Sequence, residues 1–161
     1  MNDAGQTRIY LVIIAVLLLV IAAMAWKFIV SGSTRKVHDG RIVVVLARGE
    51  RALMLAEMRG FVGGLQQIAD ALDRGDMRTV ATTSRALGMA REHDAPVGML
   101  AKLPLEFKSL AFEMHRGFDT IAKDAETVGS AKQTLGQLAA VLQQCVSCHS
   151  LYRVSAATEV P

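Results

Sequence analysis

The sequence Cys145-Val146-Ser147-Cys148-His149 lies near the end of the last long apolar-periodic segment of this 161-residue chain, Ser130 to Leu151. In that segment leucines, the two cysteines and the histidine recur at steps of three and four residues, which is the spacing of one helical face. On a helix, both thiols and the imidazole therefore lie on one side within about one turn. The segment predicts a helical fold whose last helix presents these three groups together.

The chemistry of this pentapeptide points first to c-type haem. In the C-x-x-C-H attachment motif, two thiols add across the vinyl groups of the macrocycle and the histidine binds the iron. A thioredoxin-type dithiol is a second interpretation, although that site lies at a helix N-terminus, where the dipole lowers the thiol pKa. A structural zinc site usually needs four ligands, and the sequence offers no second Cys or His pair at suitable spacing. Two buried, inert thiols are the remaining alternative.

The composition favours a helical chain without a nucleic-acid partner. Hydrophobic residues make up 52% of the chain and aromatic residues only 5%, which argues against a β-sandwich. The sequence beyond the N-terminal apolar run is rich in good helix formers, and the whole chain has only three prolines. A formal net charge of +3 suits an acidic electron-transfer partner or a negative membrane surface, but it is too mild for nucleic-acid binding.

Residues 1–30 contain an apolar run that is long enough to cross a bilayer. A cleaved signal peptide is the alternative, since Ala23-Met24-Ala25 has the small-x-small form of a cleavage site. The run is long for a signal peptide, and Trp26 and Lys27 are typical of interfacial anchors, so we expect an uncleaved transmembrane helix. Basic residues after the span would place the next domain in the cytoplasm, whereas haem attachment in bacteria generally occurs outside it. We therefore expect a single-pass inner-membrane protein with its domain in the periplasm.

Residues 31–40 are expected to form a polar linker, and residues 41–155 an antiparallel four-helix bundle. Glycine, proline and serine signals separate the predicted helices, which are Arg41 to Asp73, Met77 to Glu92, Leu105 to Val128, and Ser130 into the pentapeptide. Three glycines in the first helix, at positions 60, 63 and 64, are costly in a helix interior. Close approach by a neighbouring helix or by a flat macrocycle would explain them.

With this helical pattern, the stretch Cys145-Val146-Ser147-Cys148-His149-Ser150-Leu151-Tyr152-Arg153 resembles the cytochrome c-prime family, whose motif lies near the end of the last helix. The resemblance implies one covalent haem c, attached through Cys145 and Cys148. It also implies that His149 is the proximal iron ligand and that Arg153 lies near the proximal side. Arg153 would then tune the iron or pair with a haem propionate. Many members of the family form homodimers through their first two helices.

The family also places its first helix on the other side of the haem. An apolar residue there leaves the iron open, whereas a methionine fills its sixth position. Met54 and Met58 share a helical face, and the distance to the glycine that closes this helix favours Met58. An open iron stays an alternative. Met58, Phe61 and Leu65 are expected to line the haem pocket, so the predicted metal ligands are His149 and Met58.

We therefore expect a membrane-anchored monohaem c-type cytochrome that exchanges electrons with a redox partner protein and is not an enzyme. The alternative is a high-spin haem protein that binds nitric oxide or carbon monoxide at an open distal face. His115, one step off the apolar stripe of the third helix, is expected to be a surface residue or a hydrogen-bonding partner rather than a ligand. A haem-free helical membrane adaptor is a third interpretation, but it leaves the pentapeptide unexplained.

Overall fold

The computed structural model of the chain describes residues 3–94 and 96–159, and their fold is predominantly α-helical. The helices are α1 (Asp3–Ala25), α2 (Arg48–Asp73), α3 (Met77–Leu87), α4 (Val97–Leu100), α5 (Leu105–Thr127) and α6 (Ala131–Leu151). The strands β1 (Thr34–Lys36), β2 (Ile42–Leu46) and β3 (Tyr152–Ala156) form one small sheet. The prediction of an all-α class is confirmed, with the small sheet as an addition that the periodicity does not predict.

The N-terminal helix α1 continues through a π-helical turn, Trp26–Ser31. The combined helix, Gly5–Ser31, has a mean hydropathy of 2.9 over its most apolar part, and none of that part is buried against the rest of the chain. Among the described residues, it is the one helix that is long and apolar enough to cross a membrane. A signal sequence meets the same requirements, so both expected roles of this segment agree with the helix.

The expected first bundle helix begins late, at Arg48 rather than Arg41, because the residues before it form β2. The β-branched side chains of this strand lose rotamer freedom in a helix and pack well on a sheet. β2 pairs in parallel with β3, with Ile42 opposite Tyr152. Part of the expected linker also joins the sheet, because β1 pairs antiparallel with β2. The sheet therefore corrects the prediction at both ends of the domain.

The remaining helix ends agree closely with the sequence signals. α5 begins after Pro104 and α6 begins after Ser130, whose side-chain oxygen accepts a hydrogen bond from a backbone amide of the first turn at 3.3 Å. The second helix is shorter than predicted. α3 ends at Leu87, before Gly88, rather than at Glu92, and a 3₁₀ turn, Met89–Asp94, follows it. Glycine at this position interrupts the helix earlier than the proline further on.

Two groups of buried side chains form the interior. The helix core lies between α2, α3, α5 and α6 and includes Ile68, Phe118 and Ile121, each at most 1% exposed. The sheet core joins the sheet to α2 and α5 and includes Val44 and Phe107. Met58 packs against both groups. Burial of this apolar surface, worth about 25 cal/mol per Å², holds the helices and the sheet together.

Close neighbours explain two of the three glycines in α2. A Cβ atom at Gly64 would lie 2.6 Å from the Leu87 side chain, and one at Gly60 would lie 2.8 Å from the Arg91 guanidinium group. No described atom lies within 4 Å of a Cβ atom built at Gly63. Close approach by a neighbouring element was one of the two reasons expected for these glycines. It applies at Gly64, which faces α3, and at Gly60, which faces the following turn.

The end of the N-terminal helix is attached to the region just before and within α5. Gly32 has a φ of +62°, and a Cβ atom there would lie 2.4 Å from the Lys102 carbonyl oxygen. The Ser33 amide donates a hydrogen bond to this oxygen at 2.7 Å. The Lys108 ammonium group donates a hydrogen bond to the Ile29 carbonyl oxygen at 3.1 Å, where the negative end of the helix dipole favours a cation. These contacts form a junction between the apolar helix and the domain.

Gly32→Ala is expected to destabilise the protein more than Gly40→Ala. Both glycines have a positive φ, where an L side chain costs about 1–2 kcal/mol, but only Gly32 also faces backbone atoms at less than 3 Å. We expect losses in the free energy of unfolding of roughly 3 kcal/mol for Gly32→Ala and roughly 1 kcal/mol for Gly40→Ala. Denaturant unfolding of the full chain in detergent measures both, and equal losses would contradict an attached junction.

Candidate functional site

The last turn of α6, the start of β3, the first turns of α2 and the start of α5 enclose a cleft of about 220 Å³, which we call the motif cleft. Its walls carry one thiol, one imidazole, two thioethers, two guanidinium groups and several apolar side chains: Cys148, His149, Met54, Met58, Arg41, Arg153, Leu55, Phe107, Tyr152 and Val154. A mostly apolar cleft with a few polar groups is typical of cofactor sites. Four of the residues that the sequence predicts for the site are among them.

The two motif cysteines lie on the final turns of α6. Cys148 is half-buried, lines the motif cleft and packs against the sheet core. Cys145, one turn earlier, is also half-buried but is not among the lining residues. Both are free thiols, and burial raises the pKa of each, that of Cys148 to about 11. Both therefore stay protonated at neutral pH, which argues against an activated redox dithiol.

His149 lies beside Cys148 and presents an exposed imidazole to the motif cleft. The helix ends shortly after it, where the Tyr152 amide donates a hydrogen bond to the Cys148 carbonyl oxygen. An imidazole that is accessible from a cleft wall is available as an axial iron ligand. The end of α6 thus brings a thiol and a metal-binding nitrogen to one wall.

The wall formed by α2 carries two methionines. Met54 is 4% exposed and Met58 is half-buried, and both line the motif cleft. The thioethers of both residues thus lie at the same cleft as His149, and both methionines remain candidates for the sixth iron ligand. Leu65 packs against the helix core and lines neither the motif cleft nor the cleft beside it.

A smaller cleft of about 40 Å³, the inner cleft, adjoins the motif cleft and shares Met54, Met58 and Phe107 with it. Phe61 lines the inner cleft and stacks on Phe118 with their ring centroids 6.0 Å apart. Most of the other side chains around the inner cleft are apolar as well. Phe61 therefore lines the inner cleft and not the motif cleft, which it was expected to line.

His115 also borders the inner cleft, and it is 2% exposed. Its Nδ1 lies 2.7 Å from the Leu87 carbonyl oxygen. Because a carbonyl oxygen only accepts hydrogen bonds, Nδ1 carries the proton. The hydrogen-bonding role expected for His115 is confirmed, whereas the surface position is wrong, because α3 packs on this side of α5.

Two arginines and one aspartate lie together beside the motif cleft. Arg41 lies just before β2 and Arg153 lies on the neighbouring strand β3, and both line the cleft. The Arg41 guanidinium group lies 2.7 Å from the Asp39 carboxylate, and that of Arg153 lies 3.9 Å from it. The hydrogen bonds from Arg41 hold the pKa of Asp39 below its usual value. Two guanidinium groups at a cleft wall provide a site for carboxylates such as haem propionates.

Tyr152 belongs to the stretch that resembles cytochrome c-prime, but the sequence predicts no role for it. Its ring is 4% exposed and meets Phe107 edge-on, with the centroids 5.4 Å apart. Its hydroxyl donates a hydrogen bond to the Glu106 carboxylate at 2.8 Å, and burial together with this contact raises the pKa of Tyr152. The position of Tyr152 depends on its strand pairing, for which the local sequence gives no signal.

The donor set of the motif cleft fits haem better than it fits a bare metal ion. Among the described residues, no group of three or more His, Cys, Asp or Glu side chains is placed to hold a metal ion. A structural zinc site needs four protein ligands, whereas haem iron takes its equatorial ligands from the macrocycle and only axial ones from the protein. One imidazole, one thiol at the wall, a second thiol one turn away and two thioethers meet that need.

Comparison of the chain with protein-family models, with curated proteins and with solved structures gives no match.

In the haem-free chain, Cys148 is expected to react with iodoacetamide far more slowly than an ordinary thiol. Its raised pKa, about 11, leaves roughly a hundredfold less thiolate at pH 8 than an unperturbed cysteine has. Alkylation of the Cys145→Ala chain, followed by mass spectrometry over a range of pH, measures the rate at Cys148 alone. The Cys148→Ala chain reports Cys145 in the same way. A thiol that titrates below pH 7 would instead support a redox dithiol.

Proposed function

We propose that the protein is a monohaem c-type cytochrome that transfers electrons. One observation carries the proposal: the motif cleft joins Cys148 and His149 on one wall to Met54 and Met58 on the other. In this proposal Cys145 and Cys148 hold one haem c covalently, and His149 is its proximal ligand. When bound, the haem supplies the redox chemistry, while the protein supplies burial, orientation and ligand choice.

The proposal includes an antiparallel four-helix bundle formed by α2, α3, α5 and α6, as in the cytochrome c-prime family. The packing of α2 on α3, α3 on α5 and α5 on α6 supports it. The haem would then lie between α2, which carries Met54 and Met58, and α6, which carries Cys148 and His149 at the motif cleft. Bundle proteins commonly build cofactor sites from facing helices in this way.

Met58 is the proposed sixth ligand, and it makes the protein an electron carrier. Its packing against both the helix core and the sheet core holds the side chain in place. A preorganised thioether favours a low-spin iron that changes charge without binding a substrate. Arg41 and Arg153 would pair with the propionates and hold the edge of the macrocycle.

The apolar helix α1 supports a location in the inner membrane, with the haem domain in the periplasm and a redox partner protein there. Release after signal-peptide cleavage is the alternative.

A homodimer through α2 and α3 is compatible with the exposed groove between these helices, which is lined by small side chains such as Gly63, Thr82 and Thr83. The functional proposal needs neither the membrane location nor the homodimer.

Gas binding is the second candidate function, and the inner cleft favours it. This cleft lies directly beside Met58 and is lined mainly by apolar side chains. Apolar pocket walls favour small apolar molecules. If Met58 does not bind the iron, nitric oxide or carbon monoxide would reach an open distal face beside this cleft.

The test is the absorption spectrum of the full chain, exported to the periplasm together with haem-maturation machinery. We expect covalent haem with a sharp low-spin reduced spectrum that carbon monoxide does not change. Met58→Ala is expected to convert the haem to a high-spin form that binds carbon monoxide. Met54→Ala, one turn away on the same face, is the matched control and should leave the spectrum low-spin.

Each departure from this result has a distinct meaning. A high-spin spectrum of the unmodified chain that shifts with carbon monoxide would favour the gas-binding function. If the unmodified chain is low-spin and the haem becomes high-spin in Met54→Ala but not in Met58→Ala, the sixth ligand is Met54 instead of Met58. Absence of covalent haem would overturn the proposal.

A further inference from the structure

A third cleft, of about 550 Å³, lies between the end of the N-terminal helix and the start of α5, and we call it the junction cleft. Its volume falls within the roughly 300–1,000 Å³ that small-molecule sites commonly have. Its walls include Val30 and Ser31 from the last turn of the apolar helix. The junction cleft therefore lies beside the point at which that helix would leave a membrane.

The contacts of the junction fix the cleft relative to the apolar helix. The Lys108 ammonium group donates hydrogen bonds to the carbonyl oxygens of Ile29, at 3.1 Å, and Phe28, at 3.5 Å. On the helix itself, the Lys27 ammonium group donates a hydrogen bond to the Gly32 carbonyl oxygen at 2.8 Å. A molecule dissolved in the membrane would thus reach the cleft at the interface, without crossing the aqueous phase.

The walls of the junction cleft carry both apolar and polar side chains. Val30, Ile42 and Leu105 supply apolar surface, and Leu105 is 47% exposed. Among the polar side chains, the Glu106 carboxylate accepts the hydrogen bond of Tyr152, and a carboxylate has capacity for further donors. This pattern fits an amphipathic ligand with an apolar tail and a hydroxyl-bearing head.

Tyr152 lines both the junction cleft and the motif cleft. A ligand in the junction cleft therefore lies one aromatic ring away from the cleft in which the haem is proposed to bind. We propose that the junction cleft binds the head of a membrane-dissolved isoprenoid hydroquinone, which reduces the haem. This inference rests on the proposed cytochrome function and on α1 as an uncleaved membrane anchor.

The reaction balances with the residues present. Oxidation of one hydroquinone to the quinone breaks two O–H bonds and releases two protons and two electrons. The electrons reduce two ferric haems to the ferrous state, one electron each, either on two chains or in two turnovers with the redox partner protein as the acceptor between them. Glu106 accepts a hydroxyl hydrogen bond and passes the protons to water, to which it is exposed.

Binding is tested first, without haem, on the full chain carrying Cys145→Ala and Cys148→Ala in phosphatidylcholine–phosphatidylglycerol nanodiscs. The probe is decylubiquinol, kept reduced under anaerobic conditions, and the readout is the quinol retained per nanodisc, compared with empty nanodiscs. We expect about one saturable equivalent per chain, and about tenfold weaker retention for Leu105→Arg and Ser109→Trp, which charge or fill the cleft. Leu135→Arg changes a leucine on α6 that is 56% exposed and lies outside the cleft, so it is the control and should retain the quinol normally.

Electron transfer is then tested on the haem-loaded full chain in the same nanodiscs, with decylubiquinol as the donor and haem absorbance as the readout. We expect Leu105→Arg and Ser109→Trp to slow haem reduction about tenfold, while reduction by dithionite is unchanged. Glu106→Gln should slow haem reduction by decylubiquinol, because the proton acceptor is lost, while reduction by dithionite is unchanged.

The outcomes separate this inference from the cytochrome function. A chain that carries haem and is reduced by dithionite but not by decylubiquinol would overturn the quinol site alone. The same conclusion follows if the cleft variants bind and react like the unmodified chain. A chain without covalent haem would overturn the cytochrome function and the electron-transfer step together, even where the quinol still binds.

Discussion

The parallel pairing of β2 with β3 is the constraint on which the motif cleft depends. β2 leads almost directly into α2, and β3 follows α6 without a break. The backbone pairing that starts at Ile42 and Tyr152 therefore ties the helix with the two methionines to the helix with Cys148 and His149. Under the proposed function, neither wall alone would define a site, because each would supply only one of the two axial ligands.

The same pairing requires α2 to fold back over the sheet. Ile42 lies beside the end of α6, whereas α2 starts after the far end of β2, about 13 Å further along at the usual strand rise. Met54 and Met58 nevertheless share a cleft with Tyr152, so the first turns of α2 must return across the strands. This return leaves Met58 between the sheet core and the helix core, where its position is set by packing on both sides.

The helices could be predicted from sequence because their signals are local. Apolar periodicity, Pro104 and Ser130 define α5 and the start of α6 within a few residues. The sheet could not be predicted in this way, since β2 finds its partner more than a hundred residues later and its apolar run also extends the stripe of α2. The C-x-x-C-H motif is enough to identify Cys148 and His149 as candidate site residues. The position of Tyr152 and the burial of His115 depend on tertiary contacts, which the local sequence does not indicate.

The long separation of β2 and β3 also bears on how a haem would enter. Pairing of distant strands closes a long loop and tends to form late in folding. The motif cleft, at about 220 Å³, is smaller than most sites for drug-sized ligands, and burial in the folded chain raises the pKa of both thiols, so both are protonated at neutral pH. Under the proposed function, the thiols are most reactive and accessible before the strands pair. Under that proposal, covalent attachment would precede closure of the sheet, and the pairing of β2 with β3 would then cover a haem that is already bound.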